Sequence, residues 1–376
     1  MNQMTIVTAL LAACLASACQ ESNIIESASI APTAVSDQQQ NTSLELEAAE
    51  IERRLSNNDS LYKDSQLQRY LQSIMNKLYP KYKNKIRVKI INDPRLNAFA
   101  LANGTLFFNI GLLARIDNEA QLATLLGHEG AHYIKKHILR HRVKLKSTSA
   151  VAVLIGAGPD SVTISSLYIS GFSRDLEREA DIIAFARMRR SGYDIRQAPL
   201  AFKKLLADAK ANNEKYPSLF ATHPKLIERI ASYNKLIAQH PAKGGRIGQA
   251  LFLKKTQKLR MDDLDANLKQ QRFGSMILIL TDKNARIKYP RYYPYYLGEA
   301  YRQRNLDNDI QKAYFAYQRA ITASPNFAPS YRAIGIYYLK HGQKQKARTA
   351  FRRYLKLAPK SSQAAYVRQY LDELSQ

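Results

Sequence analysis

One short segment constrains the fold of this chain more than any other. It reads His128-Glu129-Gly130-Ala131-His132 and lies in a proline-free stretch, residues 118–142, which predicts an α-helix. Two histidines four residues apart point about 40° from each other on a helix, so both imidazoles can reach one cation. The residues just before the segment argue against a charged, solvated helix and predict that the histidines enter a core: Leu122, Leu125 and Leu126.

Glu129 gives this segment a chemical use. Its carboxylate points about 100° round the helix from His128, where it can reach a water on the cation without binding the cation itself. A zinc ion polarises such a water and a carbonyl, and the carboxylate takes the water proton and later passes it to the leaving amine. The pattern indicates metal-assisted hydrolysis, although five residues alone arise by chance in roughly one chain in a hundred.

A catalytic zinc ion needs a third protein ligand and keeps one position open. The candidate segment, residues 173–181, predicts a helix that Ser173 caps and that ends near Gly192. Glu177 and Asp181 are four residues apart and share one face of that helix. We expect Glu177 to bind the metal and Asp181 to accept a hydrogen bond from a ligand histidine. Alone, an acidic helix face is usually solvated, and the upstream histidines are what favour a metal site.

The other patterns predict an α+β fold that is mainly α. Apolar residues recur every three or four positions over residues 67–78, which predicts a helix. Ile86, Val88 and Ile90 alternate with basic residues, as in a half-buried strand. Residues 97–101 and 105–109 flank Asn103-Gly104, which predicts a β-hairpin.

These residues resemble the gluzincin metalloproteases of the HtpX and prenyl-protease family, in particular its periplasmic BepA-like branch. The resemblance covers residues 97–232 and rests on the histidine helix and on the following segments: Asn97-Ala98-Phe99-Ala100, Asn109-Ile110-Gly111-Leu112-Leu113, Asn118-Glu119-Ala120, His137, Glu177-Arg178-Glu179-Ala180-Asp181, Thr222-His223-Pro224 and Glu228-Arg229-Ile230. It implies a protease domain with one zinc ion per chain, bound by His128, His132 and Glu177. It also implies that Glu129 is the general base.

The same resemblance implies roles for residues beside the metal. Asn97 and Arg229 match catalytic-site residues that border the substrate. An edge strand at 105–109 would pair with the substrate backbone. His223 matches a histidine that stabilises the transition state or masks the zinc, whereas its position before Pro224 also suits a plain helix cap.

The amino-terminal residues predict export and a lipid anchor. Residues 4–18 form an uncharged, mostly apolar run too short to span a membrane, and the sequence around Cys19 resembles the cleavage site of a bacterial lipoprotein. We expect a signal peptide at 1–18, lipid on the Cys19 thiol and a flexible tether at 19–43. Gln20 after the cysteine favours the outer membrane. The alternatives are lipid on Cys14, and an ordinary signal peptide that leaves a soluble periplasmic protein.

Residues 44–240 form the predicted metalloprotease domain. Within it, the apolar segment 150–172 is interrupted by Pro159-Asp160, and we expect a packed helix plus a mobile lid or membrane-facing loop. Residues 241–289 are predicted to be a linker and possible degenerate repeat. Residues 290–376 predict an α-helical domain of tetratricopeptide repeats with a capping helix, because one pattern of positions repeats at an offset of 34 residues. In that pattern Ala313, Tyr317, Ala320 and Pro325 correspond to Ala347, Phe351, Tyr354 and Pro359.

The charge of the chain bears on its partners. There are 57 Lys and Arg residues against 31 Asp and Glu, a net charge of +26. Such a surplus favours an anionic partner, which could be nucleic acid, acidic lipid or acidic polypeptide. Export argues against nucleic acid, and residues 251–376 hold 24 basic and 9 acidic residues. We therefore expect membrane contact through the lipid anchor and this basic surface, protein partners at the repeats, and no nucleic acid.

The resulting expectation is a zinc endopeptidase on the periplasmic face of the outer membrane. The resemblance implies quality control of outer-membrane assembly, with misfolded or stalled envelope proteins as substrates. The alternative is a chaperone or adaptor whose repeats carry the function and whose zinc site is silenced, with His223 as a fourth ligand.

Overall fold

The fold is that of a computed structural model, which describes residues 37–57, 59–144, 152–155, 162–165, 172–212, 226–241 and 244–375. The chain divides into two compact units, Met1–Gln40 and Asn41–Gln376. Of the first unit the structure describes residues 37–40, which begin helix α1 (Asp37–Asn57). The predicted signal peptide at 1–18 and the predicted lipidation site Cys19 lie outside the described residues.

A three-stranded sheet forms the core of the larger unit. Its strands are β1 (Arg87–Ile91), β2 (Ala98–Ala100) and β3 (Thr105–Asn109), in the order β1–β3–β2. Strand β3 pairs parallel with β1 and antiparallel with β2, so the predicted strand and hairpin are confirmed. The turn needs Gly104, because its φ is +84°. The expected edge strand at 105–109 is wrong, since β3 is the middle strand and is hydrogen-bonded on both sides.

Helix α1 covers one face of this sheet. Its buried residues recur every three or four positions and share one cluster with apolar residues of the sheet: Leu44, Ala48, Ile51 and Leu55 pack with Ile91, Phe99, Leu101 and Phe107. Glu52 of α1 accepts hydrogen bonds from Arg87 (2.9 Å) and Thr105 (2.8 Å) and so ties the helix to the sheet. The predicted tether at 19–43 needs correction, because residues 37–43 are the first turns of α1.

Helices from the rest of residues 62–240 surround the sheet. They are α2 (Ser65–Leu78), α3 (Ile110–Arg115), α4 (Glu119–Ile134), α5 (His137–Lys144), α6 (Arg174–Arg190), α7 (Ala198–Ala211) and α8 (Leu226–Gln239), with 3₁₀ turns at Pro80–Tyr82 and Ile195–Gln197. Helix α4 is buried from Glu119 to His132 and packs along α6. Ser173 precedes α6 as predicted, but its side chain makes no capping hydrogen bond. The prediction of a mainly helical α+β fold with a small sheet is confirmed.

The helix predicted over residues 118–142 is broken into α4 and α5. Lys136 has a φ of +51°, in the left-handed region that side chains other than glycine seldom adopt. The chain therefore changes direction just before His137. This break redirects the side chain of His137, with consequences for the site described below.

Two short antiparallel strands follow, β4 (Ala152–Ile155) and β5 (Val162–Ser165). The packed helix expected at 150–172 is therefore wrong. Both strands are rich in β-branched residues, which favour extended chain over helix. The residues between and just after the strands, where a lid or membrane-facing loop was expected, lie outside the described part of the chain. Among the described residues, no helix has the length and apolar character to cross a bilayer.

Three helices occupy most of the predicted linker at 241–289: α9 (Gln249–Lys269), α10 (Phe273–Thr281) and α11 (Ala285–Lys288). Arg260 of α9 is fully buried and donates hydrogen bonds to the backbone carbonyls of Ala114 and Ile116. Arg115 of α3 is also buried and pairs with Asp208 of α7 and Asp263 of α9, each at 2.6 Å. Helix α9 is thus part of the core rather than a linker.

The last helices form two antiparallel pairs and a single closing helix. Their bounds are α12 (Tyr293–Arg304), α13 (Asp309–Ala323), α14 (Ala328–Lys340), α15 (Lys344–Leu357) and α16 (Ala364–Glu373). Gly298 of α12 and Gly335 of α14 each face an aromatic ring of the next helix. A Cβ added at either glycine would lie 2.4 Å from Tyr317 or 2.5 Å from Phe351, so close packing of each pair requires glycine.

Candidate metal centre

Helices α4 and α6 lie side by side and bring the three expected ligands together. The Nε2 atoms of His128 and His132 are 3.0 Å apart. Of the Glu177 carboxylate, Oε2 lies 3.5 Å from Nε2 of His128 and Oε1 lies 3.4 Å from Nε2 of His132. All three residues are buried. In the described part of the chain they are the one group of three or more His, Cys, Asp or Glu side chains close enough to share a metal ion.

This triangle fits zinc in both size and chemistry. Four-coordinate zinc binds histidine nitrogen and carboxylate oxygen at about 2.0–2.2 Å, so ligand atoms around it are about 3.3 Å apart. The three separations in the structure, 3.0, 3.4 and 3.5 Å, lie on either side of that value. Two imidazoles and one carboxylate form a donor set typical of catalytic zinc, which keeps a fourth position for water or substrate.

Asp181 lies beside His128, the first of the two expected ligand histidines. Its Oδ1 lies 2.9 Å from Nδ1 of His128, and the same nitrogen lies 2.9 Å from Nη2 of Arg229. If Nε2 of His128 binds a metal, Nδ1 must carry the proton and can only donate, so Asp181 is its acceptor. Arg229 then donates to both oxygens of Asp181, at 2.7 and 3.0 Å, and holds the carboxylate in place.

His137 lies against the second ligand histidine. The Nδ1 atoms of His132 and His137 are 3.0 Å apart, and Nε2 of His137 lies 3.4 Å from Oε2 of Glu179. The ring of Phe172 stacks on the His132 imidazole, with centroids 4.1 Å apart. Helical spacing assigns neither neighbour to the site, because His137 would point about 140° away from His132 on a continuous helix. The break at Lys136 is what brings it back, and the sequence carries no local signal of that break.

Burial and neighbouring charges shift the pKa values of three groups in the site, His132, His137 and Asp181. Burial lowers the pKa of His132 to about 3 and the pKa of His137 to about 4, so both rings are neutral near pH 7. Burial alone would raise the pKa of Asp181, but the charge of Arg229 and the hydrogen bonds from His128 and Arg229 outweigh it and lower that pKa. A neutral His132 can bind a metal, and an ionised Asp181 can accept the hydrogen bond from His128.

The position of α4 is fixed from behind by Tyr79. Its hydroxyl donates a hydrogen bond to the carbonyl of Gly127, and its ring lies where a side chain at Gly130 would be. A Cβ added to Gly130 would be 2.5 Å from that ring. Glu129, the expected general base, is buried beside this contact in the middle of the helix. Gly130 thus allows α4, which carries His128 and His132, to pack closely against the ring of Tyr79.

The remaining expected site residues differ in where the structure places them. Asn97 is buried just before β2, and its backbone carbonyl accepts a hydrogen bond from the amide of Asn109. Arg229 lies in the site, but packed on Asp181 and with Nη1 3.7 Å from Oε2 of Glu177. Arg229 thus contacts Asp181 and Glu177 directly. His223 lies outside the described residues.

Part of the chain is similar to known proteins. Residues 62–237 match the sequence model described as Peptidase family M48. The chain is 33% identical over 156 residues to the mitochondrial metalloendopeptidase OMA1 of Arabidopsis thaliana, covering 40% of this chain and 31% of that protein. It is 24% identical over 229 residues to the beta-barrel assembly-enhancing protease of Escherichia coli K12, covering 56% of this chain and 47% of that protein. The chain is 29% identical over 188 residues to the protein of that name from Yersinia pestis, covering 45% of this chain and 38% of that protein.

The chain thus spans less than half the length of each of these relatives. The matched segment contains α2 to α8, with all three members of the His-His-Glu cluster. The family match and the names of the relatives support a metalloprotease.

Proposed function

We infer from the match of residues 62–237, and from the metal cluster inside it, that this chain is a peptidase of family M48, and we propose that it is a zinc-dependent endopeptidase. The observation that carries the proposal is the triangle of His128, His132 and Glu177, whose separations suit a zinc ion. Zinc bound there would polarise a water molecule and the carbonyl of the scissile peptide bond.

Each residue around the zinc would then have a separate role. Glu129 accepts the proton of the attacking water and later delivers it to the leaving amine. Asp181 holds the proton on Nδ1 of His128 and fixes the ring, while Arg229 holds Asp181. Asn97 borders the substrate, and His223 assists the transition state or masks the zinc. For Arg229 the contacts with Asp181 and Glu177 favour support of the ligands over contact with substrate.

The proposed setting is the bacterial envelope. Two of the relatives are named as proteases that enhance β-barrel assembly, which favours misfolded or stalled outer-membrane proteins as substrates. We place the chain in the periplasm, anchored to the outer membrane by lipid on Cys19. Residues 290–376 would act as tetratricopeptide repeats that recruit protein partners. The paired helices and the two glycine–aromatic contacts support this assignment.

One observation favours the second candidate, a chaperone or adaptor with a silent zinc site. The ligands are almost inaccessible in this structure, with His128 1%, His132 0% and Glu177 5% exposed. A centre this closed cannot admit a peptide without movement of its surroundings. The two candidates differ in whether the chemistry at Glu129 is needed.

The Glu129→Gln variant separates them. The protease proposal expects unchanged zinc content by elemental mass spectrometry, with cleavage of unfolded casein reduced by roughly 10²–10⁴-fold. The matched control is Asp175→Asn, since Asp175 is an exposed acid on α6 and should leave both readings unchanged. If the Glu129→Gln variant still restores envelope function in a strain that lacks the wild-type protein, the chaperone or adaptor is the correct reading.

A further inference from the structure

The outward face of helix α13 carries an apolar and basic stripe. Phe315, Arg319 and Thr322 are spaced four and three residues apart and therefore share one side of the helix. Phe315 leaves 54% of its surface exposed. A single exposed apolar side chain is common on protein surfaces, so Phe315 matters here only together with the residues around it.

The stripe forms one wall of a groove. The other wall is the chain from Arg286 to Pro294, which enters helix α12. The groove has a volume of about 660 Å³ and a mostly apolar lining that includes Tyr293, Pro294 and Phe315. Such a volume suits one or two peptide side chains.

All of the charged residues that line the groove are arginines: Arg286, Arg291 and Arg319. Within the described part of the chain, none of the three forms an ion pair. Two arginines of the adjacent helix α12 do find carboxylates: Arg302 lies 2.7 Å from Glu299, and Arg304 lies 2.8 Å from Asp309. The groove is therefore a local excess of positive charge around an apolar floor.

The next helix pair shows that this is not a general property of the repeat. At an offset of 34 residues, Phe315 corresponds to Thr349 and Arg319 to Arg353. The threonine hydroxyl donates to the backbone of its own helix. The guanidinium of Arg353 donates to the carbonyl of Pro325 and to Asn326. The second pair thus lacks the aromatic residue and uses its arginine for structure, so the groove belongs to the first pair alone.

We propose that this groove binds an acidic peptide segment that carries an aromatic or aliphatic side chain. The apolar side chain would enter beside Phe315, and flanking carboxylates would pair with the arginines, whose planar guanidinium groups suit carboxylates. A bilayer surface would meet a flat basic face better than a concave groove with an apolar floor. The groove lies outside residues 62–237, so this inference is independent of the proposed peptidase activity.

The test uses the full chain and a pool of fluorescent dodecapeptides with Glu or Asp at random around a central Phe. Fluorescence anisotropy should show salt-sensitive binding that weakens at least tenfold in Arg319→Glu and in Phe315→Ala. The matched control is Arg352→Glu, an exposed arginine of helix α15, which should change binding less than twofold. A pool with Gln and Asn in place of the acids should bind at least tenfold more weakly than the acidic pool.

Three outcomes would overturn the proposal. The first is equal binding of the acidic pool by wild type, Arg319→Glu and Arg352→Glu, or no binding at all. The second is that phosphatidylglycerol vesicles, and not the peptides, lose binding in the two groove variants, which would make the groove a membrane contact. The third is self-association of the wild type that Phe315→Ala abolishes, which would make a second copy the occupant.

Discussion

The Nδ1 atoms of His132 and His137 lie 3.0 Å apart in the interior of the protein. If His132 binds a metal through Nε2, its Nδ1 carries the proton and donates it to His137. The hydrogen of His137 then sits on Nε2, 3.4 Å from Oε2 of Glu179. Each ligand histidine thus has a buried partner: Asp181 for His128, and His137 for His132.

We expect His137→Ala to weaken zinc binding by about 10–100-fold, because the second ligand ring loses the acceptor that fixes its tautomer and orientation. His137→Gln, which keeps an acceptor, should recover part of the loss. Competition with a chromogenic chelator measures the affinity. His240→Ala is the matched control, since His240 lies at the end of α8 and is exposed. Zinc binding in His137→Ala as tight as in the wild type would contradict this role.

The pairing of Arg229 with Asp181 predicts a coupled effect on stability. Both side chains are buried, so Arg229→Met leaves the Asp181 carboxylate without its main counter-charge and should lower the free energy of unfolding by about 3–5 kcal/mol. In the double variant with Asp181→Asn the loss should be smaller than the sum of the single losses. Urea titrations of the four proteins measure this, and simple additivity would show that the two groups do not act together.

The parts of the site that could be predicted from sequence are those set by spacing within one helix. His128 and His132, and likewise Glu177 and Asp181, are four residues apart, and a helix places such pairs on one face whatever surrounds it. The contact of His137 could not be predicted in that way, because it depends on the left-handed conformation of Lys136.

The errors in the fold have a similar origin. The β2–β3 hairpin is local, and its turn residues identify it. The parallel pairing of β3 with β1 is not local, and it is this pairing that makes β3 the middle strand instead of an edge. The place of α9 likewise depends on contacts between Arg260 and carbonyls more than 140 residues away in sequence.

Glu52 predicts how stability depends on pH. Burial raises its pKa, but hydrogen bonds from Arg87, Lys89 and Thr105 outweigh burial and lower the pKa from 4.5 to about 2. The unfolded chain therefore binds the proton first, and this contribution to stability is complete above about pH 5 and lost as the pH falls toward 2.

We expect Glu52→Gln to remove part of the acid sensitivity of the fold. At pH 6 the variant should be less stable than the wild type by up to about 3 kcal/mol, and at pH 3 the difference should shrink. Urea titrations at the two pH values measure it. The control is Glu45→Gln, an exposed glutamate of the same helix. A difference that stays constant between pH 6 and pH 3 would mean that Glu52 is not the titrating group.

The last prediction concerns whether α9 belongs to the unit that holds the metal site. Arg115 of α3 lies within the segment that matches the peptidase family, and one of its two buried carboxylate partners, Asp263, is on α9. Asp263→Ala should therefore destabilise the fold, but by less than the about 3–5 kcal/mol expected when a buried charge loses its only partner, because Arg115 keeps Asp208. Gln257→Ala is the control on the same helix, since Gln257 is exposed and its replacement should change stability by no more than about 0.5 kcal/mol.

Two signals followed in the same urea titration decide the question. Far-ultraviolet circular dichroism reports loss of helix, and a chelating dye reports release of zinc. If α9 and the metal site share one cooperative unit, Asp263→Ala shifts both transitions to lower urea by the same amount. If the helical signal moves and zinc release stays at the wild-type urea concentration, residues 241–289 form a separate linker, as the sequence alone suggested. The buried pairs between α3 and α9 lead us to expect that the two shifts coincide.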